Sequence, residues 1–265
     1  MNRITEKFKQ LKRESRTGLV PYIMAGYPSL RASQKIIESL AKIGADLIEI
    51  GIPYSDPLAD GTTIQKAGEV ALSQGISTPQ VLDMVKEVRK NFDVPLAIMC
   101  YYNLIYKYGL KDFVDDAYSS GIDGVIIPDL PPEEASSWLG AANNRIGTTF
   151  LLAPTSSRER IERITRASQG FIYCVSLTGV TGARQKLSPD LTEFISSVRR
   201  ATKKPLAVGF GISTASQARE IAKISDAVII GSALIDKIET GRPEQEQVKK
   251  VADFAKGILE AIKSR

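Results

Sequence analysis

The chain has 265 residues, a formal net charge of +5 and no histidine. Without histidine, catalytic triads, metal sites and general bases built on imidazole are excluded, so acid–base chemistry must use Asp, Glu, Tyr or Lys. The 43% of hydrophobic residues and the mean hydropathy of -0.08, with no apolar run of about 20 residues, indicate a globular chain with an ample core.

Charge and cysteine content also limit the partners and the compartment. Acids spread along the chain offset most of the 35 Lys and Arg, and we find no nucleic-acid-binding motif. Cys100 and Cys174 fall at or in predicted strands, where a small core residue is the more frequent interpretation. The N-terminus lacks the apolar stretch of a signal peptide, and Ile4, Phe8 and Leu11 at helical spacing predict a short amphipathic helix. We therefore expect a cytoplasmic protein.

A strand-then-helix pattern repeats about every 25–30 residues, as is typical of parallel βαβ units. Strands are predicted at 18–25, 46–51, 95–100, 124–128, 148–153, 171–176, 205–209 and 227–231. Helices are predicted at 30–43, 63–73, 78–92, 110–120, 133–143, 158–167, 191–201, 214–224 and from 233 onward, with a break near 241–243. No linker interrupts the pattern. The sequence therefore predicts one domain over 1–265, an α/β fold of the (β/α)8 barrel type with an N-terminal helix and extra helices.

The second predicted strand and the loop after it carry the most informative acids. Glu49 lies among apolar residues of the strand, where a buried, unpaired carboxylate would have a raised pKa. Pro53 and Pro57 end the strand and stiffen the loop, which carries Asp56 and Asp60. An acid in a desolvated strand and a second acid on a stiff loop suit proton transfer.

Each of these acids also has a structural interpretation. Glu49 would be structural if it paired with a buried Lys or Arg, but we see no basic residue on the neighbouring predicted strands. Asp60, before Gly61, would serve as a helix cap or a turn residue. Asp56 precedes Pro57, and the structural and functional interpretations are equally consistent with that position.

Glycine-bearing turns follow the last two predicted strands. The first contains Gly209 and Gly211, and the second contains Gly231 and Ser232. Loops at this place in a barrel commonly bind phosphate through backbone N–H groups and a helix N-terminus. A lone Gly-x-Gly would fit a tight turn equally well, but the paired placement favours a phosphate site.

Three tyrosines and the loop after the sixth strand complete the predicted site. Aromatic residues lie in or just after predicted strands at Tyr22, Tyr102 and Tyr173. They would either be core residues at the rim of the barrel or line a pocket for a flat ring. The segment 177–184 has two glycines and several hydroxyls, which suits a mobile lid. Arg184 would add charge near a phosphate or simply be a solvated surface residue.

The residues 48–61 read Ile-Glu-Ile-Gly-x-x-Tyr-Ser-Asp-Pro-Leu-Ala-Asp-Gly, which resembles the signature of the tryptophan synthase alpha chain family. The resemblance extends over nearly the whole chain. It implies a TIM barrel that cleaves indole-3-glycerol phosphate to indole and glyceraldehyde 3-phosphate by a retro-aldol reaction. It also implies a partner, a beta subunit that contains pyridoxal phosphate (PLP) and uses the indole in the last step of L-tryptophan biosynthesis. A heterotetramer of two alpha and two beta subunits is expected, with no metal or organic cofactor in this chain.

The resemblance also implies a role for individual residues. Glu49 would protonate C3 of the indole and take the proton of the side-chain hydroxyl, while Asp60 would accept a hydrogen bond from the indole N–H. The substrate-binding residues are expected to be Tyr22, Cys100, Tyr102, Tyr173 and Thr181. Phosphate is expected at Gly182, Gly211, Gly231 and Ser232, and the partner interface at Pro53, Asp56 and Asp129.

The chain departs from the family pattern at three positions. Thr62 stands where much of the family has proline, Tyr22 where phenylalanine is frequent, and Cys100 where an aliphatic residue is common. These departures predict a less rigid loop and an altered substrate fit. The alternatives are a stand-alone indole-releasing lyase, another phosphate-binding barrel of the same pathway, and a non-catalytic module that docks on and activates the beta subunit. The intact acids and phosphate glycines argue against the docking module, because docking alone needs neither.

Overall fold

The structure is a computed structural model and describes residues 2–176, 189–209 and 211–263. Within these ranges a first helix, α1 (Arg3–Arg13), precedes nine parallel strands. The strands are β1 (Gly18–Met24), β2 (Ile48–Gly51), β3 (Leu96–Met99), β4 (Gly124–Ile126), β5 (Gly147–Thr149), β6 (Leu151–Leu152), β7 (Ile172–Val175), β8 (Leu206–Gly209) and β9 (Ala227–Ile230). The helices that follow are α2 (Leu30–Lys42), α3 (Thr62–Ser73), α4 (Thr78–Arg89), α5 (Tyr102–Tyr108), α6 (Leu110–Ser119), α7 (Ser136–Ala142), α8 (Arg158–Ala167), α9 (Pro189–Ala201), α10 (Ala215–Ala222), α11 (Ser232–Ile235) and α12 (Glu244–Lys263).

The strands form a nearly closed barrel in the order β5-β4-β3-β2-β1-β9-β8-β7-β6. The strand predicted at 148–153 is divided in two, because β5 pairs with β4 while β6 pairs with β7. Phe150 lies between them, and its N–H donates to the Ser168 hydroxyl (3.1 Å) instead of a neighbouring strand. The predicted α/β barrel is confirmed, with its fifth strand present as two short segments.

Two apolar layers hold the barrel together. Outward-facing strand residues such as Ile48 and Ile50 pack against the surrounding helices, while inward-facing ones such as Val20 fill the barrel. Ile4, Phe8 and Leu11 of α1 are buried against that interior filling, which closes the N-terminal end of the barrel. The amphipathic N-terminal helix predicted from their spacing is therefore confirmed.

Helix ends follow the local chemistry. Ser29, Ser157 and Thr214 accept backbone N–H groups at the starts of α2, α8 and α10, which supplies bonds the helix itself cannot make. The sequence pattern did not predict α5, a seven-residue helix separated from the end of β3 by two residues. None of the helices in the described ranges is long and apolar enough to cross a membrane.

Three acids at the N-terminal ends of strands, here called the strand-start acids, fix neighbouring strands to one another. Each lies just before a strand and accepts a backbone N–H from the adjacent strand. The pairs are Asp46 with Leu19 (3.0 Å), Asp123 with Leu96 (3.0 Å) and Asp226 with Leu206 (2.8 Å). Each also has an arginine partner, namely Arg16, Arg89 and Arg199 respectively. Carboxylates at this end of the barrel are therefore satisfied by charge and by hydrogen bonds.

Candidate active site

Glu49 occupies the middle of β2, where its Cα is in register with Tyr22 of β1 and Ala97 of β3. Because side chains alternate along a strand and Ile48 and Ile50 face the helices, Glu49 points into the barrel. Its exposure is 0%, and neither carboxylate oxygen has a hydrogen-bond partner among the described residues. Burial raises the pKa of Glu49 to about 8, because desolvation disfavours the charged form. At neutral pH Glu49 is therefore a carboxylic acid with a proton to give.

Asp60 lies on the loop between β2 and α3 and is only partly buried. Burial raises the pKa of its carboxyl to about 6, and a hydrogen bond with the Tyr101 hydroxyl opposes that rise. Asp60 is therefore mainly ionised at neutral pH, whereas Glu49 is mainly protonated. Two carboxyl groups whose pKa values are separated in this way are suited to different roles in one reaction.

A cavity of about 110 Å³ opens at the C-terminal end of the barrel. Its lining includes six of the predicted site residues, namely Tyr22, Asp60, Tyr173, Gly211, Gly231 and Ser232. Ile64, Met99, Ile212 and Ile229 add apolar walls. The negative charges of Glu49 and Asp60 both contribute to raising the pKa values of Tyr22 and Tyr173, after burial as the main cause. Glu49 itself is not among the lining residues, but both acids act on two tyrosines that line the cavity.

The ring of Tyr22 fits at this end of the barrel because residue 51 is a glycine. A Cβ atom at Gly51 would lie 2.1 Å from the Tyr22 hydroxyl oxygen and 2.6 Å from the ring carbon that carries it. On the other side, Gly231 lies under the Cβ of Tyr22, with a contact distance of 3.5 Å for an added Cβ. The tyrosine ring therefore lies across the ends of the strands and forms one wall of the cavity.

The described phosphate candidates lie just after the last two strands, Gly211 after β8 and Gly231 with Ser232 after β9, and all three line the cavity. Gly211 has a φ of +73°, a left-handed conformation that favours glycine. Gly231 and Ser232 begin α11 directly after β9, so their backbone is at the rim of the same cavity. Phosphate binding by these residues remains a prediction.

The structure does not bring Cys100 and Tyr102 to the cavity. Cys100 is 1% exposed and packs in the outer core between strands and helices. Tyr102 begins α5, and its ring lies 6.3 Å from that of Tyr106. Met99 lines the cavity in place of Cys100, and Tyr101 contacts Asp60. The reason is the alternation of side chains along β3, by which an offset of one residue selects the opposite face.

The residues predicted for a partner interface divide into two groups. Asp56 and Asp129 are exposed, whereas Pro53 is buried. Leu58, on the same loop as Asp56, is 95% exposed, and Asp129 accepts the N–H of Tyr102 at 2.9 Å. A surface with an exposed leucine between acids is available for docking, but the interface itself stays a prediction.

Thr181, Gly182 and Arg184 of the predicted lid lie outside the described residues. Across the ranges that the structure does describe, no group of three Cys, Asp or Glu is arranged to hold a metal ion.

The family profile described as "Tryptophan synthase alpha chain" matches residues 8–263. The tryptophan synthase alpha chain of Caldanaerobacter subterraneus is 43% identical over 263 residues, which cover 99% of this chain and all of that protein. The chain belongs to the tryptophan synthase alpha chain family.

Solved structures agree with this family assignment. A tryptophan synthase structure from Mycobacterium tuberculosis superposes with a TM-score of 0.91 at 34% identity, covering 100% of this chain and 99% of that one. The tryptophan synthase alpha subunit of Legionella pneumophila also gives 0.91, at 36% identity over 99% of this chain and 98% of that one. Members of the family catalyse the lyase reaction of tryptophan synthase (EC 4.2.1.20) in tryptophan biosynthesis. Family membership also implies a beta-subunit partner.

The departure at Thr62 is accommodated by the helix that it begins. Thr62 is the first residue of α3, after Gly61 as the N-cap. Proline is tolerated at that position, because the first N–H of a helix makes no intrahelical bond. The tryptophan synthase alpha fold therefore accepts either residue here without a change of the helix start.

Proposed function

We propose that this chain cleaves indole-3-glycerol phosphate to indole and glyceraldehyde 3-phosphate. The indole would pass to a PLP-dependent beta subunit in the last step of L-tryptophan biosynthesis. The observation that carries the proposal is the pair of carboxyl groups at this site. Asp60, with a pKa of about 6, lines the cavity, and Glu49, with a pKa of about 8, is buried in β2 in register with Tyr22, which also lines it. Family membership narrows the chemistry to this lyase reaction.

Glu49 serves first as an acid and then as a base. It gives its proton to C3 of the indole ring, and Asp60 accepts a hydrogen bond from the indole N–H and stabilises the positive charge on nitrogen. The bond between C3 and the side chain then breaks, and its electron pair restores the aromatic ring. The side-chain hydroxyl loses its proton to the Glu49 carboxylate as the aldehyde forms, which returns Glu49 to its starting state.

The cavity walls would hold the two ends of the substrate. Tyr22 and Tyr173 are proposed to contact the flat ring together with Met99, which takes the role first expected of Cys100. The backbone groups of Gly211, Gly231 and Ser232 are proposed to bind the phosphate, as glycine-bearing turns after the last barrel strands commonly do. Thr181 and Gly182 would join them from the segment outside the described residues.

We also propose the context in which this site works. The chain acts as a single domain over 1–265, without a metal or organic cofactor of its own, and PLP is held by the beta subunit. Two alpha and two beta subunits form a cytoplasmic heterotetramer. Asp56 and Asp129, both exposed, and the exposed Leu58 between the loop acids support a docking surface at the cavity end of the barrel.

The deciding experiment measures indole release from indole-3-glycerol phosphate by the purified chain, alone and after addition of a tryptophan synthase beta subunit. We expect slow release that rises sharply with the partner, and no release by Glu49→Gln in either condition. Equal turnover with and without the partner would favour a stand-alone lyase. Absence of turnover in both conditions, with activation of the beta subunit retained, would favour the non-catalytic docking module and overturn the proposal.

A further inference from the structure

We propose that Tyr54 is a positioning residue for Asp60, acting through the ring of Tyr101. This inference rests on the proposed function only for its consequence in catalysis. Its structural content is that a tyrosine at the base of the acidic loop holds a second tyrosine in contact with the acid.

The first step is the contact between Tyr101 and the acidic loop. The Tyr101 hydroxyl oxygen accepts the backbone N–H of Ala59 at 2.9 Å. Asp60 is the next residue, and the Tyr101 hydroxyl lowers the pKa of its carboxyl, as a nearby hydrogen-bond donor does. One hydroxyl therefore fixes the loop backbone directly before Asp60 and acts on the Asp60 carboxyl.

Few other described residues support the Asp60 side chain. Neighbouring loop residues Asp56, Leu58 and Ala59 are exposed. The Gln65 amide donates to the backbone oxygen of Asp60 at 2.9 Å, a bond that holds the main chain and does not involve the carboxylate. Among the described residues, Tyr101 is therefore the side chain on which we expect the direction of the carboxylate to depend.

Tyr101 is itself supported by the ring of Tyr54. Its ring stacks on that of Tyr54, with the ring centroids 5.0 Å apart and the planes inclined by 27°. The Tyr54 hydroxyl in turn accepts a hydrogen bond from the side-chain amide of Asn103, at 3.0 Å. Tyr54 belongs to the acidic loop, its hydroxyl is bound to Asn103 of α5, and its ring face packs against the ring of Tyr101.

The electrostatic surroundings of Asp60 make this contact measurable. The other titratable side chains that interact with Asp60 are Tyr22 and Tyr173, whose pKa values its charge raises. Within the described structure, Tyr101 is the side chain that stabilises the ionised form of Asp60 and so lowers its pKa. If Tyr101 loses its support, the pKa of Asp60 should therefore move upward, away from its ordinary value.

The test compares three variants by the titration of the Asp60 carboxyl carbon in NMR and by kinetics with indole-3-glycerol phosphate. Tyr54→Leu removes the stack, Tyr54→Phe keeps the ring but loses the bond to Asn103, and Tyr106→Leu is the control. Tyr106 is 69% exposed and belongs to the same helix as Asn103, but its ring contacts Tyr102. Far-UV circular dichroism verifies that each variant is folded.

For Tyr54→Leu we expect kcat/KM to fall by about three- to tenfold, mainly in kcat, which is the range that a stacked aromatic pair contributes. The acid limb of its pH profile and the NMR titration of Asp60 should both move to higher pH. Tyr54→Phe should restore most of the rate, and Tyr106→Leu should match the wild type. In a Tyr101→Phe background, Tyr54→Leu should cost little more, because both changes act through one hydroxyl.

An Asp60 titration in Tyr54→Leu identical to that of the wild type would overturn the inference, as would losses that multiply in the double variant. The NMR titration needs no substrate. If the wild-type chain does not cleave indole-3-glycerol phosphate, the proposed function fails while the positioning role of Tyr54 is still decided by the titration.

Discussion

Glu49→Gln is expected to abolish cleavage and, at neutral and alkaline pH, to make the protein more stable. The native state holds Glu49 buried without a hydrogen-bond partner in the described structure, and its pKa is about 8 instead of the ordinary 4.5. The folded protein therefore binds one more proton than the unfolded chain between these two pH values. Stability must fall as pH rises through that window.

The size of the effect follows from the two pKa values. Each pH unit above 4.5 costs the folded state about 1.4 kcal/mol until the native pKa is reached. Glu49 therefore lowers the free energy of unfolding by about 1 kcal/mol at pH 5, about 3 kcal/mol at pH 7 and about 5 kcal/mol at pH 9. The glutamine amide has its own burial cost, but that cost does not depend on pH. The difference in the free energy of unfolding between Glu49→Gln and wild type should therefore widen by about 4 kcal/mol between pH 5 and pH 9.

Urea unfolding followed by circular dichroism at pH 5, 7 and 9 measures this gap for wild type and variant. Glu87→Gln is the matched control, because it makes the same change at an exposed carboxylate of α4 that is paired with Lys90. Its difference from wild type should stay nearly constant with pH. A constant difference for Glu49→Gln as well would refute the reasoning, since it would show that the native state does not hold Glu49 as a neutral acid.

Three further expectations concern the cavity and the opposite end of the barrel. The pH profile of kcat/KM should be bell-shaped, rising near pH 6 as Asp60 ionises and falling near pH 8 as Glu49 loses its proton. A profile that does not fall near pH 8 would contradict the role of Glu49 as an acid. Gly51→Ala should cost about 1–3 kcal/mol in urea unfolding and lower turnover, because its Cβ would lie 2.1 Å from the Tyr22 hydroxyl; wild-type behaviour would show that the ring moves freely. Asp123→Ala should lower the free energy of unfolding by about 3–5 kcal/mol, because two arginines lose their buried partner; a loss below about 1 kcal/mol would indicate an ordinary surface pair.

The barrel was predictable because each repeat carries its own local signal. Apolar runs of strand length alternate with amphipathic helical patterns, and hydroxyl residues such as Ser29 and Thr214 mark helix starts. The break at Phe150 was not predictable, because it depends on a hydrogen bond to Ser168, 18 positions later in the chain. Short-range patterns cannot report a partner that only the folded chain brings near.

The site shows the same division between local and tertiary information. Glu49 stood out because a carboxylate in an apolar strand is unusual, and it lies where that pattern placed it. The assignment of Cys100 missed the cavity by one residue, although the alternation along β3 was available and would have selected Met99. Nothing local distinguishes Tyr101 from Tyr102, since the difference arises only where β3 ends and α5 begins.

The strand-start acids suggest how this chain can change without losing its fold. Asp46 and Asp123 are buried and paired at one end of the barrel, while Glu49 is buried in the middle of β2 with no hydrogen-bond partner among the described residues. The residues that hold the strands together are therefore not those that face the cavity. Substitutions that reshape the cavity for new substrates can accumulate while the opposite end preserves the fold. A library for directed evolution should accordingly vary positions such as Tyr22 and Met99 and leave the strand-start acids unchanged.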